Sequence, residues 1–166
     1  AELGEKSVSQ LRAEILPVEF SDSAAVRIVI NASPSVIFDI VADPSKHPLF
    51  DGSDSVKALL RGPSRLFLGA KFGMKMKIKV PYWITNTVVD FDENSKISWA
   101  HLMKWRWSYE LVDLGAGKTQ VTEHFDAHHI PKLAHVWLDF TGAMKYNPKA
   151  MAKSLVKLKV LCEGRG

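Results

Sequence analysis

Val26-Arg27-Ile28-Val29-Ile30-Asn31-Ala32-Ser33-Pro34-Ser35-Val36-Ile37-Phe38-Asp39-Ile40-Val41-Ala42-Asp43-Pro44-Ser45-Lys46-His47-Pro48-Leu49-Phe50 is the stretch that decides the fold. Val26, Ile28 and Ile30 alternate with Arg27, Val29 and Asn31, the two-residue period of a strand. Ser33-Pro34 then signals a helix start. The serine hydroxyl can accept orphan backbone N–H groups, and proline fits the first helical position without losing a bond. Val36, Ile37, Ile40 and Val41 give that helix an apolar face. Asp43-Pro44 stops it and can cap a second short helix over Ser45 to Leu49, and Asp51-Gly52 signals a turn.

Downstream the period becomes two. Val56, Ala58 and Leu60 alternate. Phe72, Met74, Met76, Ile78 and Val80 alternate with Gly73, Lys75, Lys77 and Lys79, which predicts a strand with one apolar and one cationic face. Trp83 to Asp92 is a strand whose phase the sequence leaves open, followed by a turn at Asp92-Glu93-Asn94-Ser95. Ile97, Trp99 and His101 share one strand face. Trp105, Trp107, Tyr109 and Leu111 share the next, and Gly115-Ala116-Gly117 turns the chain. The last strand runs from about Lys118 to His128, with Val121, Glu123, Phe125 and Ala127 in phase. Short meander turns imply antiparallel neighbours.

After Pro131 the spacing turns helical. Leu133, Val136, Trp137, Phe140 and Met144 form one stripe, Asn147-Pro148 breaks it, and Met151, Leu155, Leu158 and Cys162 form a second. Lys149, Lys153 and Lys157 line another face of the terminal helix. The order predicts an α+β fold: a curved antiparallel sheet of about seven strands around a long C-terminal helix, with two short helices after the first strand. One helix need not fill so concave a sheet, so a cavity is expected between them. Residues 1–23 read as an N-terminal extension. Leu11, Ile15 and Leu16 suit a helix over Glu5 to Leu16 that Pro17 would end, and a loose tail is the other reading.

The chain has 166 residues, 46% apolar and 24% charged, which suits one globular domain. Its net charge of +4 is spread over alternating strand positions and a helical row rather than one patch, so nucleic acid is not an expected partner. No apolar run approaches the roughly 20 residues of a membrane span, so stable membrane insertion is not expected. Ala1 to Gln10 lacks the apolar core of a signal peptide, and Cys162 is the single cysteine; a cytoplasmic location is expected. The oligomeric state is left open.

The pattern Val-x-Ile-x-Ile-x-Ala-Ser-Pro-x-x-Ile-Phe-Asp-Ile-Val-Ala-Asp-Pro-Ser-x-His-Pro over Val26 to Pro48 resembles the opening of the polyketide cyclase/dehydrase and lipid-transport family, within the START-like (SRPBCC) superfamily. Phe72-Gly73-Met74, Trp105-Arg106-Trp107-Ser108-Tyr109-Glu110-Leu111 and Thr119-Gln120-Val121-Thr122-Glu123 match in kind. The resemblance spans about residues 24–162. It implies a helix-grip fold, with residues 24–166 as a START-like ligand-binding domain. It also implies a lipid, sterol, hormone or polyketide ligand, or cyclase or dehydratase chemistry.

Glu123 is the most pointed residue, because it shares a face with Val121 and Phe125 and a buried carboxylate is costly unless paired. It could anchor a ligand's polar group, act as an acid or base, or form a structural ion pair. Trp99, Trp105, Trp107 and Tyr109 form an aromatic band suited to a flat ligand or to core filling. Met74, Met76, Met103 and Met144 could line the same space, and Phe72, Phe125 and Phe140 complete the expected lining. His47 and His101 are candidate proton donors or acceptors. His124, Asp126 and His128 fall on one strand face beside His129, but that face is opposite Val121 and Phe125, so an exposed cluster is expected rather than a metal site. No phosphate-binding, dinucleotide-binding or nucleophile-elbow pattern occurs, and no cofactor is expected. The main expectation is therefore a hydrophobic ligand in the cavity, and the alternative is a cyclase or dehydratase using Glu123, His47 or His101 there.

Overall fold

The computed structural model describes residues 12–19, 23–101, 105–128, 132–133, 136 and 148–164. Its strands are β1 (Glu14–Ile15), β2 (Ser23–Ile30), β3 (Val56–Arg61), β4 (Lys71–Ile78), β5 (Val80–Asp92), β6 (Lys96–His101), β7 (Arg106–Gly115) and β8 (Lys118–Asp126). The helices are α1 (Pro34–Val41), a 3-10 turn (Pro44–Lys46), α2 (His47–Phe50) and α3 (Pro148–Glu163). The strands form one curved antiparallel sheet in the order β1-β2-β8-β7-β6-β5-β4-β3. The helix-grip architecture expected from the sequence is therefore present, with eight strands rather than about seven among the described residues.

The extra strand is β1. Glu14 and Ile15 pair with Arg27 and Val26 of β2, and Arg27 Nε donates to Glu14 at 2.8 Å. This replaces the end of the helix expected over residues 5–16; residues 5–11 lie outside the described set. An unpaired backbone row on β2 outweighs the weak apolar stripe, because strand pairing satisfies every donor and acceptor it reaches.

α1 begins as its proline predicts, but the expected serine cap is absent. Ser33 is extended (φ −70°, ψ 155°), and its hydroxyl meets Ser35 Oγ at 3.2 Å instead of a backbone N–H. The buried face comprises Ile37, Phe38, Ile40 and Val41, while Val36 is exposed. The stripe is rotated toward Phe38, whose ring packs edge-on against Phe91 at 5.4 Å. Asp43 does cap the next turn, accepting from Ser45 N at 3.0 Å.

β2, β7 and β8 keep the expected phase, and Val26, Ile28, Ile30, Val121 and Phe125 are all buried. Other strands depart from simple alternation. Irregular register in β3 buries part of Leu59 and exposes Leu60. Lys79 takes a positive φ of 59° and turns the chain from β4 into β5, so Val80 belongs to the next strand and is exposed. β8 ends at Asp126 rather than near His128.

α3 starts at Pro148, as the Asn147-Pro148 break suggests, and packs against β2. Met151, Leu155, Leu158 and Cys162 are buried as expected, and each fully buried leucine contributes about 1.5–3 kcal/mol. Leu133 and Val136 are helical but exposed, whereas Trp137, Phe140 and Met144 lie outside the described residues. Lys159 departs from the solvated lysine row. It is buried, donates to Val29 O at 2.9 Å and pairs with Glu163, which also accepts Asn31 N at 2.7 Å. This cluster fastens the end of α3 to the end of β2. Lys157 bonds Asp51 O at 3.0 Å and Asp54 at 3.2 Å, holding the α2–β3 loop to the same helix. Gly52 makes that approach possible: a Cβ there would lie 2.2 Å from Ala150 O. No described helix is long and apolar enough to cross a membrane.

Candidate functional site

The described residues line a partly open cavity of about 300 Å³ between the sheet, α2 with its following loop, and the first turns of α3. Its sheet wall carries Met74 and Met76 of β4, Tyr82, Trp83, Ile84 and Asn86 of β5, Trp99 and His101 of β6, Trp107 and Tyr109 of β7, and Glu123 of β8. Trp105, just before β7, closes one corner. His47 and Phe50 face this wall from α2, Asp51, Ser53 and Ser55 from the loop, and Met151 and Ser154 from α3.

Strand register explains why Glu123 sits there. It pairs with Val26 on one side and Tyr109 on the other, all on the inward face. Glu123 is 2% exposed, and Tyr109 donates its hydroxyl to Oε1 at 3.0 Å. Oε2 is buried with no hydrogen-bond partner among the described residues. Burial disfavours the charged form and pushes the carboxyl up to about 8; the Tyr109 hydrogen bond opposes this and the Asp51 charge adds to it. Burial and the neighbouring Glu123 also raise the Tyr109 hydroxyl well above its ordinary value.

An aromatic stack backs the carboxyl. Trp99 lies between His47, with ring centres 4.9 Å apart at 22°, and Tyr109, at 5.6 Å and 29°. His47 Nε2 is 2.8 Å from Val41 O; a carbonyl only accepts, so Nε2 carries the proton. Burial lowers His47 to about 4, which makes it neutral at ordinary pH. His101 stacks flat on Trp105 at 4.0 Å and is likewise lowered to about 4 by burial. Neither ring is poised to titrate near neutral pH. Tyr82 is pushed up to about 12 by burial and the Asp51 charge.

The sequence candidates therefore fall into groups. Glu123, His47, His101, Met74, Met76, Trp99, Trp105, Trp107 and Tyr109 come together on the cavity wall. Phe72 stands behind it, edge-on to His47 at 5.6 Å and to Trp99 at 5.7 Å. Phe125 is also behind, against Trp107 at 4.7 Å. Phe140, Met103 and Met144 lie outside the described residues. Sequence reasoning missed Tyr82, Asn86 and Asp51. Tyr82, Ile84 and Asn86 alternate, and pair with Met76, Met74 and Phe72; that alternation becomes readable once the β4–β5 turn is placed at Lys79. Asp51 reads as a turn residue and is one, since its carboxylate accepts from Ser53 N at 3.1 Å and Val56 N at 2.8 Å. Its position at the cavity follows only from the packing of α2 against α3.

His124 and Asp126 lie on the opposite, outward face. His124 Nε2 is 3.9 Å from Glu110, and Asp126 accepts His128 N at 2.8 Å. Among the described residues, no three side chains gather as ligands for one metal ion.

Comparison with known proteins agrees with this architecture. The family described as polyketide cyclase/dehydrase and lipid transport matches residues 21–163. The chain is 33% identical over 156 residues to the uncharacterized protein Rv0088 of Mycobacterium tuberculosis, covering 90% of this chain and 70% of that protein. Protein Ms6760 of Mycobacterium smegmatis has a similar structure, with a TM-score of 0.69 at 12% identity over 93% of this chain and 99% of that one. The Aha1 dimer of Colwellia psychrerythraea gives 0.60 at 19% identity, over 87% and 98%. At these identities the two structural likenesses speak to the fold alone. The inward sheet face, the gripping α3 and the family match together establish that this chain belongs to the polyketide cyclase/dehydrase and lipid-transport family, with a START-like fold.

Proposed function

We propose that this chain binds a small hydrophobic molecule (a lipid, polyketide or aromatic compound) in the cavity between the curved sheet and α3. One observation carries the reading: a buried carboxyl, one oxygen of which has no hydrogen-bond partner among the described residues, stands in a cavity walled by indole and phenol rings. An unpaired buried polar atom costs about 1–3 kcal/mol, and a ligand group bonded to it recovers that cost. The rings supply contact area and the methionines adapt to the ligand's outline. The chain works in the cytoplasm under this reading. Native mass spectrometry of the protein purified from its own host tests it. A bound small molecule, released by organic solvent, is the expected result. A full-chain crystal structure with the cavity filled by the protein's own side chains would overturn it.

A second reading is a cyclase or dehydratase in the same cavity. The raised Glu123 carboxyl favours it, because a group that keeps its proton near neutral pH can pass it from Oε2 to a substrate oxygen and act as general acid. With a turned-over substrate, Glu123→Gln would lower the rate by at least about a hundredfold. Unchanged turnover would remove Glu123 from that role.

A further inference from the structure

The charge of the cavity wall is one-sided. The chain carries 22 lysines and arginines, yet none lies among the described lining residues. The wall instead holds two carboxyls, Asp51 and Glu123. Lys157, the ammonium tied to this loop, bonds Asp51 O and Asp54 and is not among the lining residues. Both imidazoles on the wall are neutral. The indole and phenol rings on the wall are electron-rich, and such rings attract cations most when water is excluded, although both faces of Trp99 are already taken by His47 and Tyr109. Among the described residues, an anionic ligand would meet two carboxyls and no compensating cation. A ligand ammonium would meet Glu123 Oε2, which has no partner among the described residues, together with aromatic rings.

We propose that the ligand class is an arylalkyl amine or similar hydrophobic amine, its ammonium seated on Glu123 Oε2 and its apolar body against the tryptophans. This rests on the ligand-binding reading above and narrows it. The proton balance follows from the geometry. Glu123 holds its proton in the empty cavity. When the ammonium enters, the carboxyl ionises, its proton leaves to solvent, and an ammonium–carboxylate pair remains. Tyr109, from β7, still donates to Oε1. The other titratable groups facing this site are Asp51 and His47 from the α2 segment, Tyr82 from β5 and His101 from β6; α3 contributes Met151 and Ser154, and β2 contributes Val26, none of which titrates. Among them Glu123 is the carboxyl that holds a proton near neutral pH and loses it to a cation; Tyr82 and Tyr109, both raised, keep theirs.

Three probes share one ring system and differ in charge: tryptamine, tryptophol and indole-3-acetate. Isothermal titration with the full chain at about pH 7 should give tightest binding to tryptamine, at least about tenfold tighter than to indole-3-acetate. Repeating the tryptamine titration in buffers of different ionisation enthalpy should show about one proton released per amine bound. Glu123→Gln should weaken tryptamine at least about tenfold and abolish the proton release. The wild-type probe series and proton count stand even if that variant folds poorly. Binding of tryptophol or indole-3-acetate as tight as that of tryptamine would overturn the amine assignment and leave the hydrophobic-ligand reading standing. Binding of tryptamine without proton release would also overturn it. Failure of all three probes to bind would overturn the amine assignment, and the hydrophobic-ligand reading would still be decided by the native mass spectrometry above.

Discussion

Replacing Glu123 with glutamine keeps the side chain's outline and removes its charge. The carbonyl of glutamine can still accept the Tyr109 hydroxyl that now reaches Oε1 at 3.0 Å. What disappears is the titration. Glu123 goes from an ordinary value of 4.5 to about 8 in the fold, because its charged form is desolvated. A carboxyl whose folded value is raised holds its proton more tightly in the native state than in the unfolded chain. Its stabilising contribution is therefore complete below about pH 4.5 and is lost as pH rises through about 8. Each pH unit across that interval is worth about 1.4 kcal/mol. Relative to wild type, Glu123→Gln should gain roughly 4 kcal/mol of stability between about pH 5 and about pH 8. Urea denaturation of both proteins at several pH values measures this directly. Groups that do not interact with Glu123, among them His47 and His101, act equally on the two proteins and cancel in the difference, and Tyr109, which does interact with it, keeps its proton throughout this range. An offset that stays constant with pH, or one that moves against the variant as pH rises, would refute the claim that Glu123 is buried in its neutral form.

Gly52→Ala should cost about 1–3 kcal/mol, since its Cβ would meet Ala150 O at 2.2 Å and Ser154 N at 2.6 Å. Thermal unfolding reads this, and an unchanged midpoint would show that α2 and α3 do not approach so closely. Lys159→Ala should cost about 2 kcal/mol by leaving Val29 O and Glu163 without their ammonium partner, and a urea midpoint unchanged from wild type would show that solvent replaces it. His47 and His101 should titrate near 4 rather than 6.5 by proton NMR. Because burial favours their neutral forms, they support the fold above about pH 6.5, and that support is lost as pH falls toward 4. Midpoints near 6.5 would place both rings in water.

The strand faces of β2, β7 and β8 were legible because an uninterrupted two-residue period leaves one choice of inward set, and Glu123 falls in it beside Val121 and Phe125. The same rule explains the failures. One irregular pair in β3 moves Leu59 inward and Leu60 outward, and the irregularity between Val88 and Asp90 is what makes the phase of β5 unreadable. Val80 looked like the end of a strand because nothing in its neighbours marks Lys79 as the residue that takes a positive φ. In α1 the apolar stripe was centred one position off, since Val36 and Phe38 are both apolar and only tertiary packing selects between them. For the site, the aromatic band was visible as composition on alternating positions. Asp51 was not, because a loop residue is brought to the cavity by long-range contacts such as Lys157 to Asp51 O.

The stack of His47, Trp99 and Tyr109 also gives the protein a built-in optical reporter. Indole and phenol rings fixed this close couple their electronic transitions, so Trp99 and Tyr109 contribute to the near-ultraviolet circular dichroism when the cavity wall is assembled. A compact state that kept its strands but lost side-chain order would keep its far-ultraviolet spectrum and lose this signal. Integrity of the wall can thus be followed without a label and apart from the backbone.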